Sequence, residues 1–171
     1  MASVLIYSDK QKQIWNYGDC RYLLNGKLNC CNNRIDIMSA SVRSFVDQAY
    51  LYSGISLAEL LSHDLGSDAI EEILKLQPFF ANKNDYCGYP ILDGGELSKD
   101  LFECIQFVPG DEVVFASDGY PVIYSSLKES ESELQRVFLE DPLLIMNMQS
   151  VKGYYPGTRS FDDRTYCRFI V

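Results

Sequence analysis

The chain has 171 residues, of which 47% are hydrophobic and 23% are charged, which is typical of a single globular domain, residues 1–171, with a substantial core. The net charge of −9 and the lack of a basic stripe argue against a protein that binds nucleic acid. No apolar run is long enough to span a membrane, and the first residues do not resemble a signal peptide. We therefore expect a cytoplasmic protein without a membrane partner.

The number and spacing of the cysteines and the single histidine limit the kinds of catalytic or metal site that the chain can form. None of the six cysteines forms a Cys-x-x-Cys pair, so we expect buried, reduced thiols rather than a zinc site or a disulfide framework. His63 is the only histidine, and its polar surroundings predict a surface position. Zinc hydrolase and Ser-His-Asp chemistry therefore have little basis here.

The first thirty residues alternate in hydrophobicity and predict two β-hairpins. The strands are expected at residues 3–8, 13–17, 22–24 and 27–30. Asn25-Gly26 is a strong two-residue hairpin signal between the last two.

A helical period follows, from about residue 35. Gly54 is expected to end the first helix, and the capping box that begins at Ser56 starts a second, which runs to about Ser62. Asp68 favours a third helix, which Pro78 would stop. The apolar residues that recur at helical spacing in the first helix are Ile37, Val42, Phe45, Val46, Ala49, Tyr50 and Leu51.

The second half of the sequence predicts further strands at residues 89–92, 101–108, 113–116 and 166–171. A capping box at Ser126 predicts a helix, and the apolar residues from Leu143 to Met148 favour another short one. Asp93-Gly94-Gly95 is interpreted as a loop, because no helix follows it directly to form a phosphate-binding turn.

Aspartates mark the ends of two of these strands. Asp118 follows the apolar run Val113–Ala116, which is typical of a strand buried on both faces, and Asp162 and Asp163 precede the last strand. Asp118 is either a turn residue, since Asp-Gly is a common turn pair, or a ligand. If the two strands are antiparallel neighbours, the carboxylates converge, and such oxygen clusters suit Mg²⁺ or Mn²⁺.

Three motifs, in order, resemble the metal-dependent type-2C protein phosphatase family. Gly18-Asp19-Cys20-Arg21 is similar to its Gly-Asp-Ser-Arg element, and the residues from Ala116 to Gly119 are similar to its Ala-Ser-Asp-Gly strand end. The stretch from Asp162 to Thr165 resembles the closing Asp-Asn-x-Thr motif. The resemblance covers most of the chain.

The resemblance implies an α+β fold, an antiparallel β-sandwich flanked by helices in α/β/β/α order, and two Mg²⁺ or Mn²⁺ ions whose bound water attacks phosphorus. Asp118 and Asp162 would be direct metal ligands, and Asp19 would help to hold a looser ion. Supporting positions would be Gly119, Asp163 and Thr165. Asp163 stands where the family has Asn, and Cys20 replaces Ser.

The N-terminal motifs of the family have no counterpart in this sequence. The family's bridging aspartate belongs to an Asp-Gly-x-Gly motif upstream of the Gly-Asp element, together with a phosphate-binding arginine. Asp93-Gly94-Gly95 lies on the wrong side of that element. The chain is thus expected to match the C-terminal two thirds of the domain, with the first strands missing. A second copy or a partner chain would then complete the sheet.

Three hypotheses follow for the function. The first is a phosphoester hydrolase of the protein serine/threonine phosphatase type that acts on a phosphoprotein or a small phosphoester, and that is incomplete or inactive as this chain alone. The second is a binding or regulatory module that keeps the fold without the chemistry. The third is a structural remnant in which every named aspartate is a turn or cap residue.

Overall fold

The structure is a computed structural model that describes residues 1–30, 33–154 and 157–171. Within those ranges it is an α+β protein with two antiparallel sheets and four α-helices. The strands are β1 (Val4–Ser8), β2 (Gln13–Tyr17), β3 (Arg21–Leu24), β4 (Lys27–Cys30), β5 (Glu103–Gln106), β6 (Glu112–Ala116) and β7 (Tyr166–Ile170). The helices are α1 (Arg34–Ser53), α2 (Leu57–Ser62), α3 (Leu65–Leu76) and α4 (Leu127–Glu140), with short 3-10 turns at Gln77–Phe80 and Lys99–Leu101.

The two sheets pack face to face. One has the strand order β1-β2-β5 and the other β4-β3-β6-β7. Ile14 of β2 and Val113 of β6 are fully buried in one cluster with Phe107, and residues of β1, β3, β5 and β7 pack around them. Burial of this shared apolar surface is the main force that holds the sheets together. The predicted pairing of an edge strand with a second chain stays a prediction.

The alternation of β2 places the only tryptophan outside this shared core. Ile14 faces the opposite sheet, so Trp15 lies on the outer face of the three-stranded sheet, half-buried. Its indole Nε1 donates a hydrogen bond to Gln13 Oε1 over 2.9 Å.

Strand β6 is buried on both faces, as its apolar run predicts. Val113 faces the opposite sheet, while Val114 and Ala116 pack on the other side against Tyr120 and Ile123. It is antiparallel to both of its neighbours, β3 and β7. The prediction that β6 and the last strand are antiparallel neighbours is confirmed.

Helix α1 buries a polar face, which its apolar spacing did not predict. Ile37, Val42, Phe45 and Tyr50 are all exposed. The buried residues of the helix are Ile35, Ser39, Ala40, Arg43, Ser44 and Asp47. This face is stable because its charged groups find partners outside the helix, in α3 and in residues 143–150.

The predicted short helix at residues 143–148 is wrong. Asp141 instead accepts hydrogen bonds from the backbone N–H groups of Ile145 and Met146, at 3.1 and 2.8 Å. The carbonyl oxygen of Leu143 accepts one from Arg43, at 2.9 Å. Leu144 has a φ of 53°, in the left-handed region that a right-handed helix does not admit, and side chains satisfy the backbone groups around it, so the apolar segment is an irregular turn.

Three other predictions need correction. Helix α3 begins at Leu65 because Asp64 caps it, with Asp64 Oδ1 accepting from the Ser67 N–H at 2.8 Å. Residues 89–92 form isolated bridges rather than a strand, since Tyr89 and Leu92 pair with separate irregular segments. The strand expected at 101–108 is limited to β5. The capping box at Ser56 and the end of α1 at Gly54 are confirmed. At Ser126 the side chain caps α4 by accepting from the Glu129 N–H at 3.2 Å, and the Glu129 carboxylate accepts from Ser126 Oγ.

The expectation of buried thiols is wrong for the side chains that the structure describes. Cys104 and Cys167 are exposed, and Cys20 and Cys87 are half-buried; all four are free thiols. The Cys30 side chain and Cys31 lie outside the described residues. His63 is exposed and pairs with Asp68, which confirms its surface position. None of the described helices is long and apolar enough to cross a membrane.

Candidate functional site

An acidic cavity of about 240 Å³ lies at the end of strand β6. Asp19, Asp118 and Asp162, the aspartates of the three motifs, all line it. They meet because the end of β6 lies between the starts of β3 and β7: Ala116 pairs with Arg21 on one side and Tyr166 on the other. The sheet register thus brings together residues that are far apart in sequence.

The turn that carries Asp118 is held against the stretch that precedes β7. The Thr165 N–H donates to Ser117 Oγ at 2.9 Å, and the Ser117 N–H donates to the Thr165 carbonyl at 3.2 Å. A Cβ atom at Gly119 would lie only 2.3 Å from the Asp163 carbonyl oxygen. Gly119 therefore allows the two chain segments to approach closely enough for their carboxylates to share one cavity.

Asp19 is held by a residue next to the first strand. Ser3 Oγ donates to Asp19 Oδ1 at 2.5 Å and accepts from the Asp19 N–H at 3.2 Å. Arg21, two residues on, also lines the cavity and donates from Nη1 to the carbonyl oxygens of Tyr120 and Pro121, both at 2.8 Å. These bonds join the Gly-Asp element to the chain that follows Asp118.

Asp162 faces a lysine. Its Oδ2 forms an ion pair with Lys152 Nζ, and its Oδ1 accepts from the Asp163 N–H at 2.9 Å. The predicted supporting residues Asp163 and Thr165 are exposed, and they contribute through their backbone N–H and carbonyl groups. Of the described residues, Lys152 and Arg21 bring positive charge to the cavity wall.

Burial and neighbouring negative charge both act against ionisation of the carboxyl groups in the cavity. Burial raises the pKa of Asp118, and the charges of Asp19 and Asp162 raise it further. The nearby ammonium group of Lys152 acts in the opposite direction. The negative charges of these carboxylates would stabilise a cation bound in the cavity.

Cys20, beside Asp19, is a poor nucleophile in this position. Burial raises the pKa of its thiol to about 11, and the charges of Asp19 and Asp118 contribute to the rise. The thiol therefore stays protonated near neutral pH, and thiolate chemistry has no support.

Two charged residues that line the cavity were not predicted from the sequence. Asp36 lies in the first turn of α1, where Asn33 caps the helix, and its Oδ1 accepts from Gln77 Nε2 at 2.9 Å. Burial raises the pKa of Asp36, and the charges of Asp19 and Asp118 raise it further. The second is Lys152. Neither stands in a motif; the only signal for Asp36 is an acidic residue in a helix's first turn, which usually serves the helix dipole.

The donor set fits a hard divalent cation by its chemistry, because the described lining offers four carboxylates and no thiolate or imidazole, and its one sulfur is the thioether of Met148, which such a cation does not prefer. However, no group of three or more histidine, cysteine, aspartate or glutamate side chains in the described ranges is arranged to hold a metal ion. The carboxylates share one cavity but are not gathered around one point.

Comparison with family models, with curated proteins and with solved structures gave no match.

Proposed function

We propose that the protein is a metal-dependent phosphoester hydrolase of the type-2C protein phosphatase kind, and that the acidic cavity is its site. One observation carries the proposal: Asp19, Asp118 and Asp162, each singled out in a separate motif, line the same cavity. Strand register brings the three positions together, and a role as turn or cap residues does not require that all three carboxylates line one cavity.

The cofactor in this proposal is Mg²⁺ or Mn²⁺. Asp118 and Asp162 would bind the ion. Asp19 and Asp36 would lie near enough to stabilise its positive charge with their own negative charges. A cation bound there would activate a water molecule for attack on phosphorus and offset charge on the phosphoryl oxygens. The substrate would be a phosphoprotein or a small phosphoester.

The residues around the carboxylates would have distinct roles in the proposed metal site. Ser3 orients Asp19 through a 2.5 Å hydrogen bond, and the Asp163 N–H orients Asp162. Arg21 holds the chain just after the Asp118 turn, so its guanidinium is engaged in positioning. Lys152 neutralises Asp162 before any cation is bound.

A second function, a non-catalytic binding or regulatory module with the same fold, also has an observation in its favour. In the part of the chain that the structure describes, no three ligand side chains are gathered to hold an ion. A two-metal hydrolase needs a carboxylate that bridges ions ~3.5–4 Å apart. A single weakly bound ion would suit a module that senses or binds rather than hydrolyses.

Calorimetric titration with Mn²⁺, combined with hydrolysis of p-nitrophenyl phosphate, tests these functions. The comparison uses wild type, Asp118→Asn and the matched control Asp100→Asn, which changes an exposed carboxylate in the 3-10 turn Lys99–Leu101. The hydrolase, which is expected to be incomplete or inactive as this chain alone, predicts Mn²⁺ binding in wild type and Asp100→Asn and loss of binding in Asp118→Asn. It predicts Mn²⁺-dependent turnover once a segment with the family's Asp-Gly-x-Gly motif completes the domain. Binding without turnover in that completed domain favours the module, and no binding in wild type refutes the metal site.

A further inference from the structure

Lys152 is anchored more firmly than its position in an irregular segment suggests. The residues on both sides of it touch the same buried guanidinium. Arg43 Nη1 donates to the Ser150 carbonyl oxygen at 3.0 Å, and a Cβ atom on Gly153 would lie 2.6 Å from Arg43 Nη2. The short segment that carries Lys152 is therefore packed directly onto helix α1.

Arg43 is itself held rigidly. Its side chain is 0% exposed, and it donates to Asp64 Oδ2 from Nε at 2.9 Å and from Nη2 at 2.5 Å. Nη1 also binds the Leu143 carbonyl oxygen at 2.9 Å. A buried guanidinium with this many partners has one allowed position, so the Lys152 backbone has one as well.

From this anchor the Lys152 side chain reaches into the acidic cavity. Its Nζ pairs with Asp162, and its charge also acts on Asp118 and Asp36. Among the described residues, four carboxylates and two basic side chains line the cavity, and one of the two, Arg21, already donates to backbone carbonyls. Of these two basic side chains, Lys152 is thus the one that can exchange its carboxylate partner.

We propose that Lys152 is a tethered counter-ion that holds the acidic cavity together without metal and competes with a divalent cation for Asp162. The competition rests on the proposed metal site, whereas the counter-ion role does not. When a cation binds, the ammonium group must leave Asp162, and the freed Lys152 then lies beside the cation, where a substrate phosphate would meet it. The resting protein would accordingly bind metal more weakly than its carboxylates alone would.

The competition can be measured by calorimetry with Mn²⁺. Lys152→Met removes the charge and keeps most of the side-chain length, and Lys152→Arg keeps the charge. The control is Lys75→Met, which makes the same change in net charge at an exposed lysine that pairs with Glu71 and Glu72. We expect Lys152→Met to bind Mn²⁺ about tenfold more tightly than wild type, since removal of a nearby cation favours another. Lys152→Arg and Lys75→Met should stay within about twofold of wild type.

The counter-ion role is tested separately by thermal unfolding in the presence of a chelator. Lys152→Met should unfold at a lower temperature than Lys75→Met, because its carboxylates repel one another without a counter-ion, and Mn²⁺ should remove the difference. If Lys152→Met does not fold, Lys152→Gln is used in its place for both measurements.

The outcomes separate this inference from the proposed function. Equal Mn²⁺ affinity in wild type and Lys152→Met, with binding lost in Asp118→Asn, would overturn the competition and leave the metal site standing. Weaker binding in Lys152→Met would also overturn it, because the lysine would then support the bound state. Absence of Mn²⁺ binding in every variant would overturn the competition together with the metal site. Equal unfolding temperatures in the chelator would overturn the counter-ion role.

Discussion

Arg21 and Tyr166, which start two different strands, lie on opposite sides of the same residue of β6. The residue between them is Ala116. Asp19 precedes Arg21 in the chain and Asp162 precedes Tyr166, and both aspartates line the cavity. The acidic cavity is therefore a consequence of strand register. A change that shifts the register or the adjoining turns should alter the site without touching a carboxylate.

Gly119→Ala should be strongly destabilising. The new Cβ would lie 2.3 Å from the Asp163 carbonyl and 2.9 Å from Arg164 Cβ, so the backbone must move. We expect a loss of about 1–3 kcal/mol in the free energy of unfolding, measured in urea. Gly95→Ala is the control, since its Cβ would approach only the Asp93 side chain at 3.1 Å. Equal stability of the two variants would contradict the close approach.

Arg43→Met should leave two buried carboxylates, those of Asp47 and Asp64, without their cation. Removal of one partner from a buried ion pair costs about 3–5 kcal/mol, which is the loss we expect in chemical unfolding. The control Arg136→Met removes an exposed arginine that pairs along α4, and should cost about 1 kcal/mol or less. A loss below about 1 kcal/mol in Arg43→Met would show that α1 is not held as described.

Asp47→Asn should change how stability depends on pH. Burial, with a further contribution from the charge of Asp64, raises the pKa of Asp47 from 3.8 to about 6. Folding thus favours the protonated carboxyl; its contribution is complete below 3.8 and is lost as the pH rises through about 6.

The stability of the variant relative to wild type should accordingly rise by on the order of 1–3 kcal/mol as the pH rises from 3.8 to about 6, and should then stay level. Urea unfolding at a series of pH values measures this. Asp100→Asn, at an exposed position, serves as the comparison and should show no such trend. A constant difference between Asp47→Asn and wild type across the range would refute the assignment.

Glu131→Gln should weaken the link between α4 and the stretch before β7. Glu131 accepts two hydrogen bonds from Arg164, both at 2.9 Å, and one from Tyr120 at 2.7 Å. The hydrogen bonds from Arg164 lower the pKa of Glu131, so the stabilisation is present above its ordinary value of 4.5 and is lost as the pH falls through the lower folded pKa.

We expect Glu131→Gln to lose on the order of 1 kcal/mol near neutral pH, because the pair is bidentate but partly exposed, and the loss should shrink in acid. Glu133→Gln, which breaks an ion pair within α4 alone, should lose less. A double-mutant cycle with Arg164→Lys measures the coupling. Zero coupling would show that the pair does not join the two elements.

The sequence was sufficient to predict the part of the site that depends on strand pattern. The apolar run before Asp118 and the alternation after Asp162 indicate two strands whose ends meet, and they do. Asp36 and Lys152 could not be predicted in this way. Their positions depend on how α1 and the segment after Asp141 pack, and that packing is set by contacts between residues about 100 apart, such as Arg43 with the Leu143 carbonyl.

The buried face of α1 could likewise not be predicted from the local sequence pattern. Hydrophobic spacing assumes that apolar residues face inward, but Arg43 is buried with Asp64 as its partner, and Asp47 is buried with one oxygen accepting from the Gly66 N–H and the other 3.6 Å from Arg43. A local pattern holds no information about those partners. The irregular turn after Asp141 was missed for the same reason, since its backbone groups bind side chains rather than one another.

The position of Trp15 determines what an optical experiment on this protein reports. As the sole indole, it lies on the sheet that does not contain β6 or β7. Intrinsic fluorescence will follow the three-stranded sheet, whereas backbone circular dichroism averages over both sheets and the helices. Transitions that coincide in the two signals would show that the sheets unfold as one cooperative unit, and transitions that separate would reveal an intermediate with only one sheet intact.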